Sequence, residues 1–392
     1  MKKVLFVSSF EGVGGTEISL LNLLKELNQN TVSVDLLLIG KMGPLVEKIP
    51  KWVNVIGIEA QTAKGYIFSE LRSGRISRAV HGVGKYIKLK HNWMKTHTDT
   101  MQQYKDSLYL YPKIEQMYDV AITWYVPNSI HTVFTLYNVS AIRKIMWIHM
   151  DVSNDFMPGD AEATLVKYDR IYCVSKACKN AFDKKYHNCI EKTEVFYNIL
   201  NVSAIKEAGS IPVEKKLEDK FKIVTCGRLA PEKQPLLAIE IVEALLRAGR
   251  RDFVWYFIGD GILLPELQSL IVNRGLEDYF VILGCLDNPN AYVSKCDLYV
   301  QLSIHESYCL TLAEAQILGV PAVSTNFPSA YEIVNDGKTG FIVNNSWMEI
   351  ANILKRVMDN TELLRNMRER LNDVLFSSSG NVNVLLDYIE RK

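Results

Sequence analysis

No apolar run in this 392-residue sequence approaches the ~20 residues that a membrane-spanning helix needs. The stretch at residues 4–10, after Met1-Lys2-Lys3, is too brief for a secretory leader. It ends in Glu11-Gly12 instead of a small-residue cleavage site, so a first strand is expected there. Cys-x-x-Cys pairs are absent as well. The seven cysteines (Cys173, Cys178, Cys189, Cys226, Cys285, Cys296, Cys309) are odd in number and several lie in strand-like apolar segments, which predicts reduced core thiols and a cytoplasmic protein. On that expectation the Asn-x-Ser sequons at Asn138, Asn201 and Asn344 are chance occurrences. Excess charge of one sign is missing too: the formal net charge is +1, and no nucleic-acid partner is expected. Finally, Gly12-Val13-Gly14-Gly15-Thr16-Glu17 lacks the third glycine of G-x-G-x-x-G, which argues against a dinucleotide-dependent dehydrogenase.

What is present is an ordinary soluble composition, 48% apolar and 23% charged, over a length that suits two domains with full cores. Apolar strand candidates alternate with helical periodicity in two runs. The first run places strands at residues 4–10, 32–39, 53–58, 119–124, 144–148, 170–174 and 194–196, with helices near 17–27 and 176–185. The second places them at 222–226, 253–258, 280–283, 298–302, 322–325 and 341–343, with helices near 236–248 and 263–274. Between the runs, Gly209, Ser210, Pro212 and mixed charge mark 204–220 as a linker. The expectation is an α/β protein of two Rossmann-like doubly wound domains, 1–203 and 204–380, facing a central cleft at their strand ends, where such sheets bind ligands.

The charge is unevenly spread. Residues 1–200 hold 25 Lys and Arg against 19 Asp and Glu. Most of the excess lies between Lys64 and Lys95, where Lys64, Arg72, Arg75, Arg78, Lys85, Lys88, Lys90 and Lys95 face only Glu70. Phe68, Leu71, Ile76, Val80, Val83, Ile87 and Trp93 recur among them at roughly helical intervals, while Gly74, Gly82 and Gly84 are expected to divide the stretch into two short helices. Two readings stand: peripheral docking on an anionic membrane surface, or a helical insertion, about 64–117, packed on the first domain with its basic face in solvent.

Two carboxylates straddle one strand-to-helix junction. The sequence His305-Glu306-Ser307-Tyr308-Cys309-Leu310-Thr311-Leu312-Ala313-Glu314 follows the strand at 298–302, and 311–318 reads as a helix ended by Gly319 and Pro321. Glu306 thus falls in the loop and Glu314 on the helix. The amides of Tyr308, Cys309, Leu310 and Thr311 come at the helix N-terminus, where unpaired N–H groups and the helix dipole favour an anion such as a diphosphate. One carboxylate can then accept hydrogen bonds from a sugar and the other from a ribose. Arg228 and Lys233 follow the first strand of the second run, a position from which a guanidinium fork and an ammonium reach the same diphosphate. In the first run, Gly14 and Gly15 permit close backbone approach to a ligand, and His149 and Asp151 close the strand at 144–148.

Several motifs occur in one order: Gly14-Gly15-Thr16-Glu17, Val174-Ser175-Lys176, Gly227-Arg228-Leu229-Ala230-Pro231-Glu232-Lys233-Gln234, the E-x7-E pair Glu306 and Glu314, Gly319-Val320-Pro321, and Glu332-Ile333-Val334-Asn335-Asp336-Gly337-Lys338-Thr339-Gly340. In this the chain resembles the family-4 retaining glycosyltransferases with the GT-B fold. The resemblance covers nearly the whole chain, strongly after Phe221 and more weakly between Ile58 and Met117. It implies a retaining, metal-independent transferase with no cofactor, moving a hexose-type sugar from a nucleotide, most often UDP, to a hydroxyl of a glycan acceptor, free or lipid-linked at the inner face of the cell membrane. No Asp-x-Asp metal motif is present.

By the same resemblance, Arg228 and Lys233 neutralise the diphosphate, Glu306 holds the transferred sugar, His149 meets that sugar near its anomeric centre, and Glu314 takes the ribose. Gly14 and Gly15 cover the diphosphate; Gly227, Gly259, Cys285, Tyr308, Cys309, Leu310 and Thr311 line the donor pocket. Thr16 lies beside the acceptor, which Asp151 or Asp155 orients, and residues 381–392 cross back to the first domain. One departure stands out: Ser307, Tyr308 and Cys309 replace the Gly, Phe and Gly of the commonest E-G-F-G-L form, so the donor sugar is left open. A UDP-sugar 2-epimerase of the same fold is the alternative.

Overall fold

The computed structural model describes residues 1–93, 100–152, 161–215, 217–372 and 379–391. Residues Met1–Ile199 and Ser379–Lys392 form one unit, and Leu200–Ser378 a second. Unit 1 is built on strands β1 (Lys2–Phe10), β2 (Val32–Met42), β3 (Asn54–Ile58), β4 (Ile114–Trp124), β5 (Val139–Ile148), β6 (Arg170–Cys173) and β7 (Thr193–Val195), in the order β3-β2-β1-β4-β5-β6-β7. Unit 2 holds β8 (Phe221–Cys226), β9 (Phe253–Ile258), β10 (Phe280–Gly284), β11 (Leu298–Gln301), β12 (Ala322–Thr325) and β13 (Gly340–Val343), in the order β10-β9-β8-β11-β12-β13. Every pair is parallel. Both sheets are therefore doubly wound, with the strand order reversing at β1/β4 and at β8/β11.

Each predicted strand is present because continuous apolar runs suit strands buried on both faces. In unit 2, Ile223, Trp255, Phe257 and Val300 pack with Ile239 and Val242 of the helix Pro235–Arg247 and with Leu354 of the helix Trp347–Met358. Leu5, Val7, Leu37 and Phe134 form a comparable cluster in unit 1. β4 and β5 start five residues earlier than expected. Only two of their ten added N-terminal residues, Tyr118 and Val139, are buried, so no continuous apolar run marks them.

Two local expectations are corrected. Residues 204–210 are not linker: the helix Val202–Ser210 runs through them, capped by the Asn201 side chain, which accepts from the Ala204 amide at 2.8 Å. Gly209 is there for packing, since a Cβ would lie 2.4 Å from Leu318 Cδ2. In the basic segment the two expected helices form, α2 (Ala63–Arg72) and α3 (Ile76–Trp93), but the second is long and the only break is at Gly74, whose φ of +71° ends the first helix. Gly82 does not interrupt α3; it lets the Tyr66 ring of α2 approach to within 2.9 Å of where its Cβ would stand. Lys95 lies outside the described residues.

The C-terminal helix Ser379–Glu390 belongs to unit 1, where it packs on α1 (Gly15–Glu26). Leu385 and Ile389 are fully buried. Arg143 donates to the carbonyls of Tyr388 at 2.5 Å and Ile389 at 2.9 Å, satisfying two of the groups that a helix C-terminus leaves unpaired. Leu385→Ala is expected to lower the unfolding free energy of unit 1 by about 2–5 kcal/mol. Denaturant titration of the full chain measures this, and a loss below about 1 kcal/mol would show that the helix is not part of that core.

Candidate functional site

In unit 2 the chemistry-bearing residues gather where the sheet order reverses, at the carboxyl ends of β8 and β11. The backbone there is tightly fixed. Gly259, after β9, has φ +146°, and a Cβ on it would fall 1.9 Å from the Gly227 carbonyl oxygen, so only glycine fits. The Gly227 amide donates to the Ile258 carbonyl at 3.0 Å and the Gly259 amide to that of Gly284 at 2.8 Å. These bonds hold the ends of β8, β9 and β10 in contact. A Cβ added at Gly227 would meet nothing nearer than Lys233 Cδ at 4.0 Å, so there is open space on that side of the residue. Cys285, one residue past β10, is exposed at the same sheet end.

After β8 the chain presents an exposed Arg228 and makes a short turn, Pro231–Lys233. The Ile304 amide donates to the Glu232 carbonyl at 2.9 Å and ties that turn to the loop following β11. Lys233 is thereby brought onto Glu306, and the two form an ion pair with side chains only 20% and 13% exposed. Glu306 Oε1 also accepts from Ser303 Oγ at 2.7 Å and from Gln301 Nε2 at 3.4 Å. Behind them the Gln301 amide nitrogen donates to Ser303 Oγ at 2.6 Å, and the buried Tyr299 hydroxyl lies 2.9 Å from Gln301 Oε1. Burial works against the Lys233 charge, but the Glu306 carboxylate and its hydrogen bond outweigh it, and the ammonium pKa ends above its ordinary value.

Sequence reasoning gave Lys233 and Glu306 separate ligands and did not foresee that they pair. It also missed Tyr299, Gln301 and Ser303. The available signal was Gln301 itself, an amide in the apolar strand Leu298–Gln301, since a buried polar group requires partners.

Cys309 caps the helix Leu310–Ile317 in the left-handed region, φ 65° and ψ 75°. A glycine adopts this backbone freely and a cysteine with strain. Gln234, next to Lys233, is the other non-glycine residue with positive φ among the described residues, at 49°. The amides of Leu310 and Thr311 donate to no group among the described residues, as expected for first-turn positions. Tyr308 packs into the wall, buried. Glu314 sits one turn further along, with no side-chain hydrogen bond among the described residues, and burial pushes its pKa up to about 7. The Glu314 charge, after burial, also helps push the neighbouring Cys226 thiol up to about 12.

Unit 1 assembles its own set at the β1/β4 reversal. Gly14 caps α1 in extended conformation, Gly15 opens it, and the Thr16 carbonyl accepts from Trp124 Nε1 at 3.1 Å. The Trp124 ring lies 4.6 Å from that of His149, so the α1 start and the end of β5 are joined through a tryptophan that the sequence reading had not singled out. Burial holds the His149 pKa down at about 3, which makes the ring neutral near pH 7. Asp151 follows two residues later, half-buried; Asp155 lies outside the described residues.

The solved structures that this chain is similar to decide the architecture. Anabaena HepE in complex with UDP superposes with a TM-score of 0.68 at 17% identity, covering 99% of each chain. S. aureus TarM gives 0.72 at 13% identity over 100% of each. The fold is GT-B. Residues 209–373, which fall within unit 2, match the family model "Glycosyl transferases group 1". Among curated proteins, an N-acetylgalactosamine-N,N'-diacetylbacillosaminyl-diphospho-undecaprenol 4-alpha-N-acetylgalactosaminyltransferase of Campylobacter jejuni is 30% identical over 154 residues, 39% of this chain and 40% of that one. The alpha-D-kanosaminyltransferase of Streptomyces kanamyceticus is 31% identical over 156 residues, with the same coverage. The matched stretch thus spans about two-fifths of the length of these relatives.

Two predictions follow from the geometry of unit 2. Between 4.5 and about 7, Glu314 keeps its proton in the folded protein after the unfolded chain has lost it. Its burial is therefore harmless on the acid side of that window, and the destabilisation builds as the pH rises across it, to be complete above about 7. Glu314→Gln, which is neutral throughout, should gain stability over the parent as the pH is raised across the window. A gap independent of pH would mean that the carboxyl titrates normally. At the cap, Cys309→Gly should leave stability unchanged or raise it, whereas Cys309→Val should lower it by about 1–3 kcal/mol in denaturant unfolding.

Proposed function

We propose that this chain is a retaining, metal-independent glycosyltransferase that moves a hexose-type sugar from a UDP-linked donor to a hydroxyl of a glycan acceptor, lipid-linked or free. The observation that carries the reading is the convergence of Arg228, Lys233, Glu306 and Glu314 on one sheet reversal in unit 2, beside the unpaired amides of Leu310 and Thr311. That set supplies two cations and a helix terminus for a diphosphate, and two carboxylates for sugar and ribose hydroxyls. The UDP complex of HepE and the transferase names of the curated relatives support the same class.

In the proposed reaction the bond from the sugar's anomeric carbon to the β-phosphate oxygen breaks. The acceptor oxygen bonds to the same face of that carbon, and its proton passes to the departing diphosphate. The protein then has to position the reactants and stabilise growing negative charge. The exposed Arg228 side chain, without an ion pair or hydrogen bond among the described residues, is free to take the phosphate. Lys233 can share its ammonium between Glu306 and the phosphate. Glu306, already oriented by Ser303 and Gln301, presents its remaining acceptor positions to the sugar. His149, a neutral ring, offers a hydrogen bond and not a charge. Thr16 and Asp151 are proposed to face the acceptor.

Arg228→Ala is expected to lower kcat by about 10²–10³-fold, because the charge it meets grows toward the transition state. UDP should raise the melting temperature of the parent protein and do so less in this variant. The assay pairs UDP-sugars with glycan acceptors and follows both product and donor. Undiminished kcat in the variant removes Arg228 from the mechanism. Conversion of the donor to its 2-epimer without acceptor would replace the transferase reading with the epimerase one.

A further inference from the structure

The α2–α3 hairpin of unit 1 turns its large apolar side chains outward. Along α3, Ile76, Val80, Val83 and Ile87 recur at i, i+4, i+7 and i+11, a single stripe on one helix face, and they are 64%, 66%, 41% and 61% exposed. On α2, Phe68 and Leu71 are 68% and 50% exposed and share their face with the exposed Lys64 and Arg72, at i, i+4, i+7 and i+8. The hairpin's inner contacts are made by other residues: Ala79 is buried, Gly82 sits under Tyr66, and Lys85 lies 5.4 Å from the Tyr109 ring. The apolar periodicity of this segment therefore does not mark a core-facing side, which is what a solvated insertion would require.

Charge accompanies the stripe. The one acid of the hairpin, Glu70, is consumed by Arg75 at 2.7 Å. Lys64, Arg72 and Arg78 are exposed and have no acidic partner among the described residues. An apolar stripe with unneutralised cations matches a bilayer interface, which accepts hydrocarbon side chains and anionic headgroups together without demanding shape complementarity. A second copy of the chain fits poorly, because a two-fold contact would set the same cations against each other. We propose that this hairpin is a docking surface for an anionic lipid bilayer, held by Phe68, Leu71, Ile76, Val80, Val83 and Ile87 in the interface and by Lys64 and Arg72 at the headgroups. The proposal does not depend on the donor site or on the transferase reading.

The test is co-sedimentation of the full chain with vesicles of phosphatidylglycerol mixed with phosphatidylcholine, against phosphatidylcholine alone. Binding to the mixed vesicles, weakened by added salt, is expected. Lys64→Glu with Arg72→Glu should reduce the partition coefficient by at least about tenfold. Phe68→Ser, Ile76→Ser, Val80→Ser and Ile87→Ser together should abolish binding. All six positions are exposed, so both variants should melt with the parent protein, and a thermal scan checks this. The proposal is overturned if the parent stays in solution with mixed vesicles at low salt, or binds both vesicle types equally. It fails too if either variant binds as the parent does, or if the apolar substitutions abolish self-association and the parent shows no vesicle binding. Vesicle binding by a protein that proves inactive toward UDP-sugars supports the surface while removing the proposed function.

Discussion

A charge pair taken largely out of water sets the form of the unit 2 site. Removing one ion from solvent costs several kcal/mol, and the attraction of its partner offsets this only where the remaining lone pairs are also satisfied. Around Lys233 and Glu306 this holds for one carboxylate oxygen, Glu306 Oε1. Ser303 and Gln301 donate to the carboxylate, Tyr299 stands behind Gln301, and Thr325 Oγ1 fixes the Ser303 carbonyl at 2.6 Å. A chain of buried polar groups that are all partnered is rigid, since moving any one of them exposes the desolvation cost of the next. The orientation of Glu306 is therefore decided by the protein before any ligand arrives, which is the condition for a positioned and not a searching carboxylate.

The same neighbourhood concentrates backbone conformations that side chains disfavour. Gln234 follows Lys233 and Cys309 follows Glu306 by three residues, and both occupy the left-handed region. Each is stabilised from outside: Gln234 by the helix that begins at Pro235, Cys309 by burial against the strand end and by the helix that it opens. Strain of about 1–3 kcal/mol per residue persists only where surrounding packing over-determines the chain, and here that packing also holds the ion pair.

How much of this was legible in the sequence depended on whether a signal was local. Continuous apolar runs such as Phe253–Ile258 disclosed every strand, and alternation with helices disclosed the doubly wound sheets. The glycines were less transparent. Gly209, Gly82 and Gly74 look alike in a sequence, yet the first two serve close packing and only the third breaks a helix. Arg228, Lys233, Glu306 and Glu314 were legible through their motifs. Their support was less so: Tyr299, Gln301 and Ser303 bond to one another and to Glu306 within a few residues, but Tyr299 also reaches Cys226 and Glu306 reaches Lys233 across 73 residues of chain, and no spacing rule encodes such contacts. Trp124 escaped notice for the same reason: it joins Thr16 to His149 across three different elements.

The C-terminal helix makes unit 1 discontinuous in sequence, and that has a consequence for synthesis. Residues 1–199 emerge first, but the helix whose Leu385 and Ile389 complete their core is translated only after all of unit 2. Unit 2 is continuous and can fold as soon as it clears the ribosome; unit 1 must wait with an apolar face open. The half of the chain made first is thus finished last. A premature stop a dozen codons before Lys392 would damage the beginning of the protein more than the middle.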